Sequence, residues 1–133
     1  MAKANFKATF HYDLEEVWNT VTSLENYSWR SDLAKIKVFE EEKKFVEYTK
    51  DGYSTVFTIT LFEPMKRYEF DMDNKNIHGH WVGLFSYVNE ETIIDFTEDV
   101  TAKKLMLKPF VGAYLKKQQA IYLADLKKAL SRE

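Results

Sequence analysis

Between residues 33 and 101 the chain keeps a two-residue period, interrupted only by short polar turns. No other feature constrains the fold as strongly, because a period of two sends successive side chains to opposite faces of a strand. Ala34, Ile36 and Val38 alternate with Lys35 and Lys37, and Val46 and Tyr48 with Phe45, Glu47 and Thr49. Phe57, Ile59 and Leu61 alternate with Val56, Thr58 and Thr60. Tyr68, Phe70 and Met72 alternate with four charged residues, the cleanest pattern in the chain. Trp81, Gly83, Phe85 and Tyr87 follow, then Ile94, Phe96, Glu98 and Val100. The charged run 40–44 reads as a solvated turn, and Asp51-Gly52 as a two-residue hairpin, because both residues tolerate positive φ. Six strands joined in succession by tight turns form an antiparallel meander.

The flanks complete the order. Ala4, Phe6, Ala8 and Phe10 share one face of an opening strand. The period then changes: Leu14, Val17, Trp18 and Val21 lie on one face of a short helix, with Asp13 and Glu16 spaced like a capping box. A second short helical piece is expected over 24–27. After the meander, Pro109 opens a long helix over 109–130, about 30 Å at ~1.5 Å per residue. Its stripe is Val111, Tyr114, Leu115, Gln118, Tyr122, Leu126 and Ala129, flanked by lysines.

Composition narrows the function classes. The chain has 133 residues, 45% hydrophobic and 30% charged, with formal net charge −2. That fits a single globular domain over 1–133 and argues against a basic nucleic-acid binder. The absence of cysteine excludes disulfides, thiolate metal sites and a cysteine nucleophile. Charge breaks the N-terminal segment before any apolar run of signal-peptide length, and no stretch has the ~20 apolar residues of a membrane span. A cytoplasmic protein without membrane insertion is the expectation. Neither a Gly-x-Ser-x-Gly nor a glycine-rich phosphate loop nor a His-Glu-x-x-His occurs. Ten Phe, eight Tyr and three Trp stand against four Gly and two Pro, so aromatic side chains dominate any interior.

Several local runs fall in a telling order: 13–18 after the first strand, 24–29 before the second, Gly79-His80-Trp81 in the sixth and 92–100 in the seventh. In this order the sequence resembles the START-like, polyketide-cyclase-like (SRPBCC) superfamily. The resemblance implies an α+β helix-grip fold: a seven-stranded, bent antiparallel sheet wrapped around the C-terminal helix, with two short helices between strands 1 and 2. It also implies a cavity between sheet and helix that holds lipids, polyketides or similar compounds. No catalytic residue is common to the superfamily, so the resemblance assigns none.

On the assigned faces Tyr48, Phe57, Tyr68, Phe70, Trp81, Phe85 and Phe96 point toward the helix, and Gly83 leaves room among them. Tyr27 and Trp29 sit on the segment expected to close the cavity, and Tyr114 and Gln118 face it from the helix. Glu98 is the polar residue the alternation buries, and a buried carboxylate must be paired, protonated or used. It would orient a ligand, serve as an acid or base, or bond a structural partner. Arg30 would meet an anionic head group or pair at the surface. His78 and His80 share the outer face; without a third ligand they read as solvated rather than metal-binding. The expected function is binding or transport of a small hydrophobic molecule without a cofactor. Two alternatives stand beside it: a cyclase- or aromatase-like enzyme using Glu98, and an interaction module or homodimer through Val82 and Leu84 on the outer face.

Overall fold

The structure, a computed structural model, describes residues 2–39 and 43–131. The acidic part of the expected 40–44 turn lies outside them. Seven strands, β1 (Ala2–Phe10), β2 (Leu33–Phe39), β3 (Lys44–Thr49), β4 (Ser54–Glu63), β5 (Arg67–Asp73), β6 (Ile77–Val88) and β7 (Glu91–Ala102), form one sheet. Their spatial order is β1-β7-β6-β5-β4-β3-β2, antiparallel throughout. Helix α1 (Leu14–Thr22) follows β1, and after a single 3-10 turn at Leu105–Leu107 the helix α2 (Lys108–Ser131) lies across the concave face. Irregularities at Leu33/Lys35 and Ile59/Leu61 break the ladders, and interruptions of this kind let a sheet bend.

Between β1 and β2 there is one helix, not two. Residues 23–32 are bends and turns. Ser and Trp side chains offer the backbone other partners than a helix there: Ser23 Oγ accepts from Asn26 N (3.0 Å), and Trp29 Nε1 donates to the Asn26 carbonyl (3.1 Å). Asp125 of α2 anchors the segment by accepting from both the backbone N and the Oγ of Ser31, each at 2.8 Å. Asp13 does stand at the N-cap of α1, but its carboxylate makes no capping hydrogen bond.

The turns decide which faces look inward. Asn89 and Glu90 both have positive φ (53° and 64°) and make a tight two-residue connection between β6 and β7. The Asp51-Gly52 hairpin is different. Thr49 N donates to the Tyr53 carbonyl, so Lys50, Asp51 and Gly52 form a three-residue loop with Gly52 at φ 87°. One extra loop residue shifts the pairing by one, and a one-residue shift turns every side chain of the strand over. β3 therefore presents Phe45, Glu47 and Thr49 to the interior. Tyr48 points outward, with the Lys35 ammonium 5.1 Å from its ring centre.

The core divides into two clusters. One gathers Phe10, Val17, Trp18, Tyr68, Phe85, Ile94, Phe96, Leu126 and Leu130 beneath α1. The other gathers Ala4, Phe45, Phe57, Met72, Val100, Ala102, Val111 and Leu115 toward the start of α2. Trp18 docks α1 onto the sheet, edge-on to Phe85 (4.7 Å), Phe62 (5.4 Å) and Tyr68 (6.2 Å).

Candidate functional site

A cavity of about 240 Å³ lies between the concave sheet face and α2, closed on one side by the 23–32 segment. Alternation on β3 to β7 supplies its apolar wall. Phe45 stacks on Phe57 (4.9 Å), Phe57 meets Phe70 edge-on (5.1 Å), Phe70 stacks on Trp81 (4.7 Å), and Trp81 tilts against Phe96 (4.7 Å). Gly83 does not leave open space. A Cβ there would stand 2.4 Å from Trp81 Cη2, so the missing side chain is what lets the indole lie flat across the sheet.

Of the residues singled out in the sequence, Tyr27, Trp29, Phe57, Tyr68, Phe70, Trp81, Phe96, Glu98, Tyr114 and Gln118 all line this cavity. Tyr48 does not, because the register of β3 turns it outward. Phe85 does not either: it faces inward but lies in the packed end against Trp18.

Three carboxylates line the cavity, and their surroundings differ sharply. Glu47 shares Arg30 with Asp32. The Arg30 guanidinium grips Asp32 with two hydrogen bonds of 3.1 Å and reaches Glu47 Oε2 at 3.5 Å. It also lies over the Tyr122 ring at 5.0 Å. Its side chain is only 16% exposed, so the pairing is interior rather than on the surface. Burial opposes its charge, but Glu47 and Asp32 together outweigh that and hold the guanidinium protonated above its usual range. Burial raises Glu47, and Arg30 draws it part of the way back.

Glu98 has no such partner among the described residues. Its register neighbours are Ala4 on β1 and Trp81 on β6. Burial pushes its pKa up to about 7, and the Gln119 amide beside it offsets only part of this. Gln119 Nε2 lies near Glu98 but not in hydrogen-bond geometry with it, and it and Tyr53 Oη, both on the cavity wall, are buried without a hydrogen-bond partner among the described residues. Tyr114, 52% exposed, stands at the opening near Glu98. Burial also raises the Tyr68 and Tyr122 phenols, so both stay neutral.

Sequence reading missed Phe45, Glu47, Asp32, Tyr53 and Gln119 as lining residues. Phe45 and Glu47 were recoverable in principle: pairing Phe45 with Phe57 across the hairpin would have exposed the three-residue loop. Gln119 stands one position beyond Gln118 on a broad helix face, and nothing local marks it.

On the outer face, His80 is partly exposed, and it is paired rather than free. Its Nδ1 lies 2.6 Å from Asp71 Oδ1 and its Nε2 2.7 Å from Glu69 Oε1. Burial opposes its charge, but the Glu69 and Asp71 hydrogen bonds prevail and raise its pKa. Among the described residues no group of three or more acidic, His or Cys side chains is arranged to hold a metal ion. Nor is any described helix long and apolar enough to cross a membrane.

No family model matches the sequence, and no curated protein matches it significantly. Solved structures do. A conserved protein from Geobacillus kaustophilus superposes with a TM-score of 0.82 at 14% identity, covering 98% of this chain and 95% of its own. A START superfamily protein from Mycobacterium smegmatis gives 0.80 at 12% identity, covering 98% and 97%. The fold is START-like. The Aha1 dimer from Colwellia psychrerythraea, at 0.75 and 16% identity over 98% and 96%, shares the same START-like architecture. At these identities the likeness establishes the helix-grip α+β fold. It does not carry a ligand or a reaction.

Proposed function

We propose that the protein binds a small, largely apolar molecule in the cavity between sheet and α2. The observation behind this reading is the cavity itself: a hollow of about 240 Å³ walled by Phe45, Phe57, Phe70, Trp81 and Phe96, with polar side chains such as Glu47, Glu98, Gln118 and Gln119 set among them. Apolar walls with a small number of oriented polar groups are the usual make-up of a ligand site, and the volume sits near the lower bound of about 300 Å³ for such sites. Burying ~300 Å² of apolar ligand surface at ~25 cal/mol per Å² yields about 7 kcal/mol gross. Association costs remove several kcal/mol, which leaves roughly micromolar binding.

A neutral probe, 1-naphthalenemethanol, tests the reading. Amide and indole NMR resonances of Trp81, Gly83 and Phe96 should shift saturably on titration. Gln118→Trp, which sends an indole into the cavity, should abolish the shifts. Saturable shifts confined to the outer face instead would defeat the proposal.

Catalysis is the second reading, and the Glu98 carboxyl is its specific support. A group with pKa about 7 can give or take a proton near neutrality. Turnover of a polyketide analogue, lost in Glu98→Gln while binding persists, would favour it.

A further inference from the structure

Resting on the reading of the cavity as a ligand site, we infer that its ligand is a cationic or strongly hydrogen-bond-donating molecule, such as an aromatic amine, and that anionic ligands such as carboxylic acids are rejected. Charge balance inside the cavity points to such a guest. Among the described residues the cavity wall holds one guanidinium, Arg30, and it is already spent. Asp32 takes two of its hydrogen bonds and Glu47 lies at 3.5 Å. Among the described lining residues no cation is left over to receive a carboxylate or phosphate. Such an anion would be desolvated against Glu47 and Asp32, and in return it would meet only neutral donors, Gln119 Nε2 and Tyr53 Oη.

Glu98 is the opposite case. It projects into the cavity without an ion-pair partner among the described residues, and the elements packed around it bring no positive charge. β1 contributes Ala4, β6 contributes Trp81, and α2 contributes the Gln119 amide and the Tyr114 phenol. A buried carboxyl with no cation is what an incoming ammonium or donor group can satisfy. The surrounding rings suit the same guest. Trp81, Phe96 and Phe70 offer aromatic faces, on which a cation is attracted and an anion is not.

Three probes that share one ring system test this: 1-naphthylmethylamine, 1-naphthalenemethanol and 1-naphthoate, titrated calorimetrically at pH 6 and pH 8. At pH 8 the amine should bind at least roughly tenfold more tightly than the naphthoate. Glu98 carries most of its charge only above about pH 7. Amine affinity should therefore rise about tenfold from pH 6 to pH 8, while the amine itself stays protonated. The alcohol should show no such dependence. In Glu98→Gln the amine should lose both its preference over the alcohol and its pH dependence.

Naphthoate binding as tightly as the amine would overturn the inference and leave the cavity reading intact. So would an amine affinity that does not change with pH, a result that needs no variant. Failure of all three probes to bind would overturn the cavity reading and this inference together.

Discussion

At the end of the sheet covered by α1, Trp18, Phe85, Ile94, Leu126 and Leu130 close on one another and leave no hollow. At the other end the same alternation supplies Phe45, Phe57, Phe70 and Trp81, yet about 240 Å³ remains open beside them. The strands do not make the difference, since both ends present aromatic side chains inward. α2 and its partner do. Toward its C-terminus the helix offers Leu126 and Leu130, and α1 adds a second layer. Toward its N-terminus it offers Tyr114, Gln118 and Gln119, and only the turns of 23–32 stand opposite. One helix cannot fill a bent seven-stranded sheet along its whole length; where a second helix helps, the interior closes.

The sharpest way to break this contrast is to make one substitution at both ends of the same helix. Leu115 and Leu126 are both buried, but only Leu115 borders the cavity. Leu126→Ala should cost about 4–5 kcal/mol in urea unfolding and Leu115→Ala only about 2–3, because a side chain already facing a void loses fewer neighbours. Equal costs would mean that the two ends are packed alike.

Next in size is the unpaired carboxyl. Glu98 has a folded-state pKa of about 7, above the ordinary carboxylate value. Between the two values the folded protein holds a proton that the unfolded chain has released, so stability falls as pH rises through this window. The full penalty, roughly 3 kcal/mol at most, applies above neutrality. Glu98→Gln should thus be more stable than the parent at pH 8 and indistinguishable from it near pH 4. A parallel pair of pH–stability curves would show that Glu98 is compensated after all.

The smallest effect belongs to the outer face, where charges sit in solvent. The His80 pKa is raised by Glu69 and Asp71, so its contribution is fully present below the unfolded value and disappears as pH climbs past the folded one. Its side chain is 38% exposed, which limits the contribution to less than about 1 kcal/mol. His80→Gln should lower the melting temperature slightly at pH 6 and leave it unchanged at pH 9. A large loss at both values would point to packing rather than charge.

Much of this architecture could be read along the chain. The strands and both helices are local patterns of period two and 3.6, and the meander follows from short turns. Glu98 was also legible, since Phe96 and Val100 on either side fix its face. The helix expected over 24–27 does not form, because the Ser23 hydroxyl and the Trp29 indole bond the Asn26 backbone in ways that local helical spacing does not reveal. Residues 24–27 therefore turn instead.

What the sequence determined by itself was periodicity: which segments are strands, which are helices, and which faces are apolar. Tertiary structure decided the rest. The phase of β3 depended on a single loop residue around Gly52, which brought Phe45 and Glu47 inside and put Tyr48 out. Arg30 and Asp32 became interior groups only because a strand 15 residues or more downstream supplied Glu47 and α2 supplied Tyr122. Whether an inward ring borders a hollow or a packed core depends on what lies opposite it across the fold, and alternation along one strand carries no information about that.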